Sequence, residues 1–135
     1  MRDNQNLDPQ FKSLLKNHWL EESQHTKLDT LIVESVVQDA TPKEIDRAFE
    51  EYAEIGMFLD NGIKQQVEFD VDSFVQATGR RLAKGEREEM TNAVLSGMRW
   101  TYLGTGMTHP NFLATVEEIK PEARNQIEEI APAFC

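Results

Sequence analysis

A repeat of apolar residues at helical spacing runs through the first third of the chain and constrains the fold more than any other feature. It includes Phe11, Leu15, Leu28, Ile32 and Val36. Residues three and four apart lie on one face of an α-helix, so this spacing predicts an amphipathic helix. Asp8-Pro9 is a typical helix start, and the pattern ends near Ala40. The prediction is a helix over residues 9–39, roughly 45 Å long.

A second long helix is predicted directly after the first. Thr41-Pro42-Lys43-Glu44 combines an N-cap, a first-turn proline and a capping-box glutamate. Helical periodicity continues from there, although Asp60-Asn61-Gly62 is a turn signal. Because the apolar repeat keeps its phase across this signal, we predict one helix to about residue 78 with a local irregularity.

Three more helices are predicted toward the C terminus, over residues 85–107, from about 109 to 119, and from 121 to just before Pro132. No segment has convincing strand periodicity, and there is no tandem repeat. Short connections between long helices make neighbours antiparallel. The sequence therefore predicts an all-α, antiparallel up-down helical bundle, as a single domain over residues 1–135 with a frayed N terminus at 1–8.

Composition excludes several classes of partner. The chain has 24 acidic and 14 basic residues and a net charge of -10, which argues against nucleic acid and anionic membrane surfaces as partners. No apolar run approaches the roughly 20 residues that a membrane-spanning helix needs. Cys135 is the only cysteine, so a disulfide within the chain is impossible and a cytoplasmic protein is expected.

Four ionisable residues interrupt the apolar face of the first helix, namely His18, Glu22, His25 and Asp29. Apolar residues of the same face precede and follow them, so we predict that this row points inward, where unpaired charges are costly. A metal ion is one partner that would satisfy all four. Two other interpretations remain open, a hydrogen-bonded ladder along the helix and a polar surface for a partner protein.

The Glu-x-x-His motif formed by Glu22 and His25 resembles a known family. HWLEESQHTKLDTLIVESV, residues 18–36, resembles the corresponding helix of ferritin-like, di-iron carboxylate proteins. Residues 90–113, which include RWTYLGTGMTHPNFL, are similar to the C-terminal part of an uncharacterised bacterial ferritin-like family. The resemblance implies that Glu22 binds or bridges metal and that His25 ligates it. It also implies that helices normally preceding Glu22 are missing, so that the chain matches the C-terminal portion of a longer bundle.

The resemblance leaves the metal site incomplete, because this sequence lacks the second Glu-x-x-His that such a site uses. His18 is predicted as a further ligand or as an orienting group. In an antiparallel hairpin that turns near residue 41, Asp60 lies level with residue 22 and is the predicted intrachain ligand. Asp70 contributes only if the helices are offset or a second chain takes part, and otherwise pairs with a lysine or arginine. His109 is predicted to cap a helix or pack in a loop.

The expected protein is a homodimer in which two-fold-related copies of Glu22 and His25 supply the missing pair. Iron is the metal that the resemblance implies, although spacing does not separate iron from manganese or zinc. The expected chemistry is oxygen-dependent oxidation of an unidentified small molecule, or iron handling, at a working, incomplete or vestigial site. The alternative expectation is a non-enzymatic helical interaction or stress-response protein with a buried polar network and no metal.

Overall fold

In the computed structural model, which describes residues 6–134, every regular element is a helix. The all-α prediction is therefore confirmed for these residues. Residues 1–5 of the predicted frayed N terminus, and Cys135, lie outside the described part of the chain. The elements are α1 (Pro9–Asp39), α2 (Pro42–Thr78), α3 (Lys84–Arg99), a π-helical turn (Trp100–Gly104), α4 (Thr105–Met107), α5 (Pro110–Ile119), α6 (Pro121–Ile130) and a 3₁₀ turn (Ala131–Phe134).

The chain divides into two units, Met1–Thr41 and Pro42–Cys135. Helix α1 is the regular element of the first unit, and its bounds match the predicted helix. It begins as expected, because one carboxylate oxygen of Asp8 accepts hydrogen bonds from the backbone N–H groups of Gln10 and Phe11 at 2.9 and 3.0 Å. No residue of α1 is buried.

Helix α2 runs without a break through Asp60-Asn61-Gly62, as the phase of the apolar repeat predicted. The turn propensity of this segment is overcome by burial on its inner side. Ile63, Val67 and Val71 are buried, and Val67 and Val71 have no exposed surface. Burying such side chains stabilises the helix by more than the helix propensity lost at Asn61 and Gly62, which is about 1 kcal/mol per residue at most.

The second unit has its own hydrophobic core, to which every helix from α2 onward except α3 contributes a buried side chain. Helix α3 packs against this core through partly buried residues such as Met90, Val94 and Met98. The buried members are Ile63, Val67, Val71, Leu103, Met107, Val116, Ala123, Ile127 and Ala131. Met107 thus lies in the core, and Met90 and Met98 pack against it.

Ion pairs between α2 and α3 demonstrate that these two helices are antiparallel, as predicted. Arg99 near the end of α3 contacts Asp60, whereas Arg87 near its start contacts Glu68 and Asp72 farther along α2. Residues later in α3 therefore contact residues earlier in α2. Lys120, between α5 and α6, pairs with an α2 carboxylate, that of Asp46.

A π-helical turn lies where the sequence predicts uninterrupted helix over residues 85–107. It places Gly104 against the backbone carbonyl of Phe134 and the indole of Trp100, where a Cβ atom would collide with both. Gly97 and Gly106, by contrast, face open space. Of these three glycines, Gly104 is thus the one that close packing requires.

Two proline-initiated helices complete the second unit, and both were predicted within a residue of their bounds. Among the described residues, no helix combines the length and the apolar character that crossing a membrane requires. The single-domain organisation, the ferritin-like type of the bundle and its completion by dimerisation stay predictions.

Candidate metal-binding site

Helix α1 brings three of the predicted ligands together on one face. His18, Glu22 and His25 are separated by four and three residues, which aligns their side chains along the helix. The Glu22 carboxylate lies between the two imidazoles, with Oε1 at 3.6 Å from His18 Nδ1 and Oε2 at 3.7 Å from His25 Nδ1. Each carboxylate oxygen therefore faces a different histidine.

These separations define the kind of interaction that the row makes. They exceed the length of an N–H···O hydrogen bond, so the predicted hydrogen-bonded ladder is not formed between these atoms. The three side chains are between 57% and 63% exposed, and Asp29 on the same face is also exposed. The inward-facing environment predicted for the row is thus not found within the first unit.

Asp60 lies in the second unit and has a different set of partners. Arg99 donates two hydrogen bonds to its carboxylate, from Nε at 2.6 Å and from Nη2 at 2.9 Å. Lys64, four residues along α2, lies 2.6 Å from the same carboxylate. The hydrogen bonds from Arg99 hold the pKa of Asp60 below its usual value, against the effect of burial. A metal ion at Asp60 would have to displace two cations.

Asp70 also has a partner of its own. The side-chain amide of Gln66 donates a hydrogen bond of 2.7 Å to Asp70, on the exposed side of α2. The predicted pairing of Asp70 with a lysine or arginine is therefore wrong, because its partner one turn earlier in α2 is the neutral amide of Gln66. Its role as a metal ligand stays a prediction.

His109 takes the capping role that its position before Pro110 predicted. Its Nδ1 accepts a hydrogen bond from the backbone N–H of Asn111 at 3.2 Å, at the first turn of α5. This hydrogen bond satisfies one of the backbone N–H groups that have no partner within the helix at its first turn.

The structure thus gathers His18, Glu22 and His25 and gives Asp60, Asp70 and His109 other partners. His18 and His25 are seven residues apart, about 10 Å along the helix axis, so a single ion does not reach both. Consistently, no three histidine, cysteine or carboxylate side chains within residues 6–134 are grouped closely enough to hold one metal ion.

Sequence reasoning missed Arg99 as the main partner of Asp60. The two residues are 39 positions apart, and only the packing of α3 on α2 brings them together. The signal in the sequence that Asp60 has a cationic partner was Lys64, because a lysine four residues after an aspartate forms a favourable helical pair. The Arg99 guanidinium also lies 5.7 Å from the ring centre of Phe134, a cation–π contact with the C-terminal turn.

Fold and side-chain arrangement define an all-helical protein with a bundle-like second unit and a row of metal-ligand residue types on its first helix. Comparison with protein-family models, with curated proteins and with solved structures found no match.

Proposed function

We propose that this is a metal-binding helical-bundle protein of the ferritin-like type, with one half of a di-metal carboxylate site on α1. The observation that carries the proposal is the position of Glu22 between two imidazoles, one beside each carboxylate oxygen. A carboxylate in this position would hold metal together with the histidine beside each of its oxygens. Glu22 and His25 would be the main ligands in this proposal, and His18 would be a further ligand.

The separations on α1 suit such a role. Metal–oxygen and metal–nitrogen bonds of about 2.1 Å place two ligands of one tetrahedral ion about 3.4 Å apart. The observed separations of 3.6 and 3.7 Å require only small side-chain rotations to reach that value. The donor set of carboxylate and imidazole fits iron, manganese and zinc alike.

The remaining ligands must come from outside α1, since three donors are too few for two metal ions. The exposed apolar residues of α1 support this assembly. Leu14, Trp19, Leu28 and Val36 are each more than half exposed, whereas a helix with apolar residues on several sides is normally buried among other helices. When iron is bound, it would supply the oxygen-dependent oxidation or iron handling that the resemblance implies.

Metal analysis of the purified protein tests this proposal. After anaerobic incubation with iron(II), and separately with manganese(II) and zinc(II), we expect about one or two equivalents per chain to remain after gel filtration. Glu22→Ala and His25→Ala each remove a ligand, so bound metal should fall by at least half. Circular dichroism of the same samples measures whether the helices remain intact.

Gln24→Ala and Lys27→Ala are controls, because these residues neighbour the ligands in sequence but lie off the ligand face. Both should retain the metal content of the unmodified protein. A protein that binds no metal, or one in which Glu22→Ala retains all of it, contradicts the proposal.

A second function, a non-enzymatic helical interaction protein, is favoured by a different observation. Helix α2 also has an exposed apolar side, on which Ile55, Phe58 and Phe69 are between 59% and 76% exposed. Such patches are typical of protein–protein contact surfaces. Absence of bound metal, with full helicity in Glu22→Ala and His25→Ala, would favour this second function.

A further inference from the structure

The ligand face of α1 is symmetric about a point between residues 23 and 24. Its eight members pair so that the two residue numbers always add to the same value: 11 with 36, 15 with 32, 18 with 29 and 22 with 25. A helix of 31 residues from Pro9 to Asp39 has its middle at residue 24. The centre of the pattern thus coincides, within one residue, with the centre of the helix.

We propose that α1 binds α1 of a second copy of this chain, antiparallel, about a two-fold axis midway between residues 23 and 24. In a two-fold interface, a contact of one residue with a second residue of the other copy is repeated with the copies exchanged, so each contact occurs twice. Because the axis is central, the two helices overlap over nearly their whole length of about 45 Å.

The apolar members of the face match one another in this register. Phe11 faces Val36 of the second copy, and Leu15 faces Ile32. Phe11, Ile32 and Val36 are between 47% and 64% exposed, and Leu15 is half-buried. Apolar contacts therefore form at both ends of the helix pair, where they bury surface that a single chain leaves in water.

The ionisable members match equally well. Glu22 faces His25 of the second copy, and His18 faces Asp29, so every carboxylate is opposite an imidazole. On this face no carboxylate lies opposite a carboxylate, and no imidazole lies opposite an imidazole. Charge complementarity of this kind sets register and orientation in helix pairing, and a parallel pair would instead place each carboxylate beside its own copy.

The pairing also completes the candidate site, and this part of the inference rests on the proposed function. The two-fold axis places two Glu22 and two His25 side chains at one level, with a His18 and an Asp29 on either side. A single chain has one Glu-x-x-His pair, and the paired helices have two. The partner copy thus contributes the ligands that one chain lacks.

Distances between spin labels test the orientation and the register. Single cysteines replace Ser13, Ser23 or Ser35 in a Cys135→Ser background, and dipolar electron paramagnetic resonance measures the label-to-label distance across the dimer. The proposed register separates the two copies of residue 13 by about 32 Å along the axis, and those of residue 35 by about 35 Å. The two copies of residue 23 are offset by only about 2 Å along the axis.

Long distances at 13 and 35 together with a short distance at 23 support the proposal. Short distances at all three positions indicate a parallel pair and overturn it. Absence of dipolar coupling, with a molar mass equal to the single-chain value of 15.5 kDa, also overturns it.

Compensating substitutions test which residues face each other. Leu15→Lys and Ile32→Glu each place a charge among apolar groups, and each should weaken the dimer at least about tenfold, measured by analytical ultracentrifugation. Combined in one chain, they place the introduced lysine opposite the introduced glutamate twice, and at least half of the lost affinity, on a logarithmic scale, should return. Leu31→Glu is the control, because Leu31 is 52% exposed on the opposite side of α1. Failure of the double variant to recover affinity, or an equal loss in Leu31→Glu, contradicts the register.

All of these measurements are made with chelator present, so that they do not depend on metal. A dimer of the proposed register that binds no metal supports the pairing and contradicts the proposed function. A chain that binds metal stoichiometrically but stays monomeric supports the proposed function and contradicts the two-fold pairing.

Discussion

Asp60 is the one buried charged residue among those that the structure describes, with 7% of its surface exposed. Its sequence position on the α2 repeat suggested a metal ligand, and the structure instead surrounds it with Arg99 and Lys64. Burying a carboxylate is costly unless cations and hydrogen bonds compensate, and here both are present. At the scale of the residue, Asp60 therefore holds α3 against α2.

Asp60→Asn should lower the free energy of unfolding at neutral pH by about 2 to 3 kcal/mol, because Arg99 loses its charged partner. Urea unfolding followed by circular dichroism measures this change. Asp70→Asn is the control, since that exposed carboxylate has a neutral partner, and it should change stability by less than about 0.5 kcal/mol. An effect of Asp60→Asn as small as that of the control would show that the ion pair adds little.

The same ion pair predicts a dependence of stability on pH. Because the folded-state pKa of Asp60 lies below its ordinary value of 3.8, its contribution is fully present above that value. The contribution is lost as the pH falls through the lower, folded-state pKa. Unfolding free energies measured from neutral to acidic pH should therefore decline less steeply for Asp60→Asn than for the unmodified protein. Parallel curves would contradict this assignment.

At the scale of the element, local signals predicted the helix bounds closely. Asp8-Pro9, His109-Pro110 and Pro121 start helices within a residue of their predicted positions, because a proline in the first turn and a side-chain cap act through neighbouring residues alone. The π-helical turn at Trp100–Gly104 was not predicted. Its signal is non-local, since it depends on how Gly104 meets Phe134.

Gly104→Ala tests this contact between elements. A methyl group at Gly104 would collide with backbone and indole atoms, so we expect a loss of about 1 to 3 kcal/mol in thermal or urea unfolding. Gly97→Ala is the matched control, because that glycine is also helical but has open space around it. It should stabilise the protein by up to about 1 kcal/mol through helix propensity. Equal effects of the two substitutions would contradict the close packing at Gly104.

At the scale of the whole molecule, the two units differ in what stabilises them. The second unit has a buried core, whereas α1 in the first has no buried residue. An isolated helix is only marginally stable in water, and most helical stability in proteins comes from packing of an apolar face. Within a single chain the two units are therefore expected to unfold in separate steps.

Tryptophan fluorescence can follow each unit by itself, because Trp19 lies in α1 and Trp100 in the π-helical turn. In dilute protein, Trp100→Phe reports the unfolding of the first unit and Trp19→Phe that of the second. We expect the first transition at the lower urea concentration. At protein concentrations that favour the proposed dimer, the Trp19 transition should move to higher urea, since association stabilises the folded form. Coincident transitions in dilute protein would contradict separate unfolding.

The sequence by itself determined the helical class, most of the helix bounds and which residues share a helix face. Caps, prolines and periodicity operate over one or two turns, and so do the contacts of Glu22 with His18 and His25. Only the tertiary structure decided that Asp60 pairs with Arg99 and that Gly104 packs against the backbone of Phe134. Those partners are 39 and 30 positions away, and which of many distant groups meets a given side chain depends on how whole helices pack.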